Sequence, residues 1–199
     1  MSRLRPADGG TRARVRAGGR SEEVRQRVAR ACLDLLAAGD AGFGPVDVAR
    51  RSGVSRATLH RWWPTKADLL REALTVHTRS LVVADTGDWS TDVHAMARQF
   101  AAFYADPVEV SLNALMSSGA HPEFTAAVLD HYGPLFQDWQ ALVRRAQARG
   151  EVAADVDPDT VLLALASPLV VVPLLFRAPL TDADVDRLAD LVLRATAAG

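Results

Sequence analysis

The sequence predicts an all-α fold, and three observations carry that expectation. Apolar residues recur at helical spacing through most of the 199-residue chain, with no alternating strand-like runs. Helix-start signals punctuate it: Asp106-Pro107, Asp157-Pro158, and the pairs Thr65 with Asp68 and Thr181 with Asp184. The stretch Phe43–Leu70, FGPVDVARRSGVSRATLHRWWPTKADLL, reads as two short helices pinned by a tight turn.

Taken in order, Met1–Arg20 holds six arginines among Gly, Ala and Pro without periodicity, and is expected to be a disordered basic arm. Such an arm can enter a minor groove or track phosphates; the plainer alternative is nonspecific attraction to DNA. Ser21 should cap a supporting helix to Ala38, with Glu22 and Glu23 at its positive end and an apolar stripe of Val24, Val28, Ala31, Leu35 and Leu36. Pro45 opens the next helix, with Val48 and Ala49 facing inward and Arg50 and Arg51 outward. Gly53 sits where the chain reverses, Val54 pins the turn, and Ser55 caps the helix that follows.

In that helix Leu59 and Trp63, four apart, share a buried face, while Arg56, Ala57, His60 and Arg61 occupy the other. A polar, basic face on the second helix of such a corner suits a DNA major groove, although corners of this shape also occur as plain structure. Lys66, the one lysine among 23 basic residues, adds weight. A cation in the first turn opposes the helix dipole at a cost of about 0.3–1 kcal/mol. A phosphate there would reverse the sign.

Gly53, Val54, Ser55, Thr58, Leu59, Trp63 and Lys66 together resemble the N-terminal DNA-binding domain of TetR-family transcriptional regulators, across the 28 positions of Phe43–Leu70. The family pattern runs Gly-Val-Ser, two variable residues, Thr-Leu-Tyr, an aromatic, a short gap and Lys. His60 stands where the family usually has a phosphate-contacting tyrosine, and Gly44 where a threonine commonly caps. The resemblance implies that Arg56, Thr58, His60 and Arg61 meet DNA, with Ser55 and Lys66 positioning the backbone. It divides the chain into the arm (1–20), a helix-turn-helix DNA-binding domain (21–66), and a helical ligand-binding and dimerisation domain (67–199).

Charge agrees with that division. Residues 1–80 carry 16 basic against 8 acidic side chains, and the remainder 7 against 16, so a basic module of +8 sits on an acidic body of −9. The head should span about 21–62, with Thr65–Ala84 as connector. Beyond it, helices are expected over Ser90–Ala105, from Pro107 to near Ser118, and from Pro122 to Gly150 with a break or kink at Gly133-Pro134. The segment TVLLALASPLVVVPLLF (160–176), interrupted by Pro168 and Pro173, is apolar nearly all round; a last helix follows with the stripe Val185, Leu188, Leu191, Val192 and Ala195. These last two helices (about 158–176 and 182–197) resemble the family's dimer-forming pair, and an all-round apolar helix needs cover on more than one side.

No GxSxG, phosphate-cradling glycine loop, HExxH or CxxC occurs, and the five histidines lack ligand spacing, so neither enzyme, metal nor cofactor is expected. The resemblance implies a small-molecule pocket between the middle helices, for which Phe100, Phe103, Met116, Phe124, Phe136 and Trp139 are candidate walls. His131, beside the Gly133-Pro134 break, is either a further ligand contact or a satisfied core histidine. No apolar run reaches membrane-spanning length, the first twenty residues lack a signal-peptide centre, and the lone Cys32 excludes an intramolecular disulfide. These features point to a bacterial cytoplasm. The expectation is a homodimer on a palindromic operator, a repressor released by a small apolar effector. The alternatives are a ligand-independent DNA-binding dimer whose second domain only dimerises or recruits a partner, and an enzyme or carrier that retains the head.

Overall fold

The computed structural model describes residues 17–198. Helix α1 runs Ala17–Ala37, so Ser21 lies inside the helix instead of capping it. Once a helix is nucleated each added residue gains a backbone bond, and Gly18 and Gly19, though each costs about 1 kcal/mol in a helix, do not end it. Residues 1–16 of the expected arm lie outside the described residues.

Helix α2 (Pro45–Ser52) ends at Gly53, whose φ of 68° lets its N–H reach the Ala49 carbonyl. Helix α3 (Arg56–Trp62) starts from Ser55, whose Oγ accepts the Thr58 N–H at 3.2 Å. Helix α4 (Lys66–His77) opens on the expected reciprocal cap between Thr65 and Asp68. It closes in a 3₁₀ turn, Thr78–Ser80, short of the expected connector end at Ala84.

Then follow α5 (Trp89–Tyr104), α6 (Pro107–Ser117), α7 (Pro122–Arg149), α8 (Pro158–Val171), a π turn (Val172–Phe176) and α9 (Asp182–Thr196). The expected interruptions are milder than a break. Pro134 and Pro168 both sit inside continuous helices. Each removes one ladder bond, and packing on both flanks outweighs that loss. Only at Pro173 does the ladder widen, into the π turn, which ends at Arg177 in the left-handed region with φ 50°.

Because the prolines do not end it, Pro158–Phe176 is a continuous 19-residue helical segment of mean hydropathy 2.1, and by length and composition it could cross a membrane. That corrects the sequence expectation that no apolar run is long enough. Only 22% of it is buried, and Leu163, Val171, Leu175 and Phe176 are exposed. In α9 the inward row is Val185, Ala189, Val192 and Thr196. Leu191 and Ala195, expected on the buried stripe, are exposed, because the contact with α5 selects the adjacent row of the helix.

Two apolar cores hold these elements. The first joins Val28, Leu36, Phe43, Leu59 and Leu69 of the N-terminal helices to Leu112 of α6 and Phe124, Val128 and Tyr132 of α7. The second joins Val93, Phe100, Trp139, Val143, Leu165 and Val185 from α5, α7, α8 and α9. Helix α7 serves both, and Gly133-Pro134 falls where it passes from one to the other.

Candidate functional site

The exposed face of α3 is built by the turn geometry. With Leu59 and Trp63 buried, the helical period forces Arg56, His60 and Arg61 outward, and all three are exposed. None of the three has an ion pair among the described residues, whereas Arg50 and Arg51 are engaged by Asp47 at 2.9 Å and Asp34 at 3.0 Å. Thr58 is half-buried, its hydroxyl 3.0 Å from that of Ser55. Arg61 lies 6.0 Å from the ring centre of the half-buried Trp62. At Gly44, which has no side chain to cap with, Asp47 still accepts the backbone N–H at 3.1 Å.

Lys66 has a partner that the sequence did not reveal. Its ammonium donates to the carbonyl of Ala41 and lies 5.1 Å from the ring centre of Phe43. The lysine thus fastens α4 to the turn before α2, and two of its three N–H groups stay free for an anion beside it.

The candidate pocket residues fall into two groups. Phe100 and Trp139 meet edge to face at 4.4 Å, Phe136 lies 6.2 Å from Trp139, and Phe103 and Phe136 flank Tyr132 at 6.2 and 6.4 Å. Of these, Phe136 forms the wall of a cavity of about 530 Å³ with Tyr104, Leu162, Leu163, Ala166 and Val170. Leu163 and Val171 of its lining are exposed. Met116 and Phe124 pack instead with the first core, and Phe124 also borders a cleft beside Lys66. His131 is half-buried, its Nε2 3.2 Å from the Thr78 hydroxyl; burial lowers its pKa from the usual 6.5.

A buried polar cluster was missed by sequence reasoning. Glu109 is fully buried; its Oε1 accepts from the Tyr132 hydroxyl and lies 3.2 Å from His77 Nε2, and its Oε2 accepts from Asn113 Nδ2 at 3.1 Å. Burial, and then the Glu109 charge, push the phenols of Tyr104 and Tyr132 up, so both remain neutral and Tyr132 keeps its proton to donate. A signal existed: Glu109 is the lone acid of PVEVSLNALMS, three residues before the buried Leu112. Cys32, also buried, has its thiol pushed up to about 12 by desolvation, with the Glu72 charge adding to it.

A profile described as "Tetracyclin repressor-like, C-terminal domain" matches residues 83–192. The chain is 30% identical over 162 residues to the HTH-type transcriptional regulator AqdR of Rhodococcus erythropolis, covering 80% of this chain and 77% of that one. It is 32% identical over 157 residues to the DNA-binding transcriptional repressor TetR of Mycobacteroides abscessus, covering 76% and 81%. Its fold superposes on the crystal structure of the TetR family transcription regulator SCO0332 with a TM-score of 0.66, at 28% identity and with 87% and 98% of the two chains covered.

Proposed function

Because the chain belongs to the TetR family of transcriptional regulators, whose members bind operator DNA and act as dimers, we propose that it is a homodimeric repressor released from a palindromic operator by a small apolar effector. Residues 21–66 read the DNA, and residues 67–199 dimerise and hold the effector. The observation that carries the DNA assignment is the outward face of α3, where Arg56, His60 and Arg61 stand exposed with no ion pair among the described residues. Arg61 reads a guanine edge, Arg56, Thr58 and His60 flank it, and Ser55 and Lys66 fix the backbone.

One seven-residue helix reads few base pairs, so two copies about 34 Å apart are needed. The exposed apolar residues Leu175 and Phe176 of the π turn and Leu191 of α9 support a twofold interface through these last elements, leaving Leu163 and Val171 to the cavity. The effector reading is supported by the cavity between α5, α7 and α8, whose walls are mainly apolar, with Gln140, Asp159 and Ser167 among its lining. An occupant would shift α4 and change the spacing of the two heads; a coupling of about 3 kcal/mol lowers operator affinity roughly a hundredfold.

The test is selection of bound duplexes from a randomised pool, followed by sedimentation of the complex. A palindrome bound by one dimer is the expected result. Recovery of no sequence preference at physiological salt would refute the DNA assignment. Thermal-shift screening of neutral apolar compounds then tests the effector, because a ligand of the folded state must raise Tm.

A further inference from the structure

Three helices meet at one buried carboxylate. Glu109 of α6 is held by Tyr132 of α7, by Asn113 one turn on, and by His77, the last residue of α4. Lys66 is the first residue of the same α4. A buried ionic group is not required to glue these helices, since apolar residues of equal volume do so at least as well. What it supplies is an arrangement that cannot be half-made: withdrawing one donor leaves a buried charge short of a partner.

Two routes lead from the cavity to this carboxylate. The ring of Tyr104, on the cavity wall, meets Phe103 at 5.5 Å, and Phe103 meets His77 at 4.9 Å. Phe136, also on the wall, meets Tyr132 at 6.4 Å. Both routes end on groups that hold Glu109.

We propose that Glu109 is the positioning residue through which an occupant of this cavity moves α4 and so the DNA-reading head. The inference rests on the reading of the cavity as the effector site. An occupant that displaces Tyr104 or Phe136 disturbs the donors of Glu109, and the carboxylate draws the end of α4 with them to stay paired. Proximity alone does not establish coupling, whereas a double-mutant cycle measures it.

The experiment needs no known effector, because a bulky side chain can stand in for one. Ala166 lines the cavity, so Ala166→Trp fills it from within. Operator affinity of the full-length dimer is measured by fluorescence anisotropy for the unchanged chain, Ala166→Trp, Glu109→Gln and the double variant, using the selected palindrome. Light scattering checks assembly, and Val170→Phe is the filler should Ala166→Trp disturb it.

We expect Ala166→Trp to weaken binding about tenfold or more alone, and less than about twofold in the Glu109→Gln background. Equal weakening in both backgrounds overturns the role of Glu109 and leaves the cavity reading intact. No weakening in either overturns the cavity reading and this inference with it. Should Glu109→Gln fail to fold, Tyr132→Phe removes one donor and keeps the ring; it must reduce the effect of the filler by about threefold, and an undiminished effect refutes the proposal.

Discussion

The two cores differ in what they combine. The second is built mainly from α5, α7, α8 and α9, with Val152 from the segment after α7, whereas the first draws residues from both the N-terminal helices and the body. Leu112, Phe124, Val128 and Tyr132 complete a core that otherwise belongs to α1–α4, and Ser111 donates to the Ala37 carbonyl at 3.0 Å to close the same seam. The head is therefore not a free module on a hinge. Its orientation is set by packing against α6 and the first half of α7, so any signal must arrive as a shift of one core against the other. Helix α7 crosses between them at Gly133-Pro134, where a missing backbone donor and a missing side chain make bending least costly.

That contrast can be broken most directly in the cores themselves. Phe43→Ala in the first core should cost about 3–5 kcal/mol, and Leu165→Ala in the second about 2–5 kcal/mol. Since α7 belongs to both, calorimetry should show one cooperative transition for each; two resolved transitions would mean that the cores are independent. A smaller change sharpens the point. Phe124→Ala, in a helix of the body, should weaken operator binding severalfold through the head it supports, and unchanged affinity in a folded variant would contradict a shared core.

Within the head, Arg61→Ala should relax discrimination at one base pair by about 1–3 kcal/mol. Lys66→Ala should weaken all duplexes alike and flatten the salt dependence by about one unit. It should also lower Tm, because the contacts to Ala41 and Phe43 go with it. A salt titration on specific and random duplexes separates the two residues; loss of discrimination on Lys66→Ala would reverse their roles. The smallest effect is a pH dependence at the seam. Burial disfavours the charged imidazole of His131, so its folded pKa lies below 6.5. Its contribution is complete above pH 6.5 and is lost as pH falls through the folded value, by a degree or so in Tm because the group is half-exposed. His131→Asn should flatten that slope between pH 7 and 5, and an unchanged slope would assign the acid sensitivity elsewhere.

The parts legible in the sequence were those fixed by local chemistry. Pro45, Gly53, Ser55 and the Thr65–Asp68 pair each declare a backbone conformation on their own; α2 starts and stops, and α3 and α4 start, where those residues put them. Long-range partners were not legible. Nothing near Lys66 announces the carbonyl of Ala41, 25 residues earlier, and Glu109 shows its meaning only when His77 and Tyr132 arrive from other helices. Proline shows the same limit: its local cost is plain in the sequence, while the packing that lets α7 and α8 continue through Pro134 and Pro168 is not. Likewise the face that α9 buries depends on α5, and Leu191 ended outside.

The edge-to-face contact of Trp139 with Phe100, and its neighbour Phe136 on the cavity wall, give the protein an optical gauge of its own. Indole emission responds to polarity and to nearby rings, so filling the cavity should shift the Trp139 spectrum. Trp62 and Trp63, which adjoin at 5.5 Å at the end of α3, should instead respond to a bound duplex if the proposed face of α3 meets it. Single-tryptophan variants would let the two events be timed separately in one stopped-flow trace, and so show which comes first.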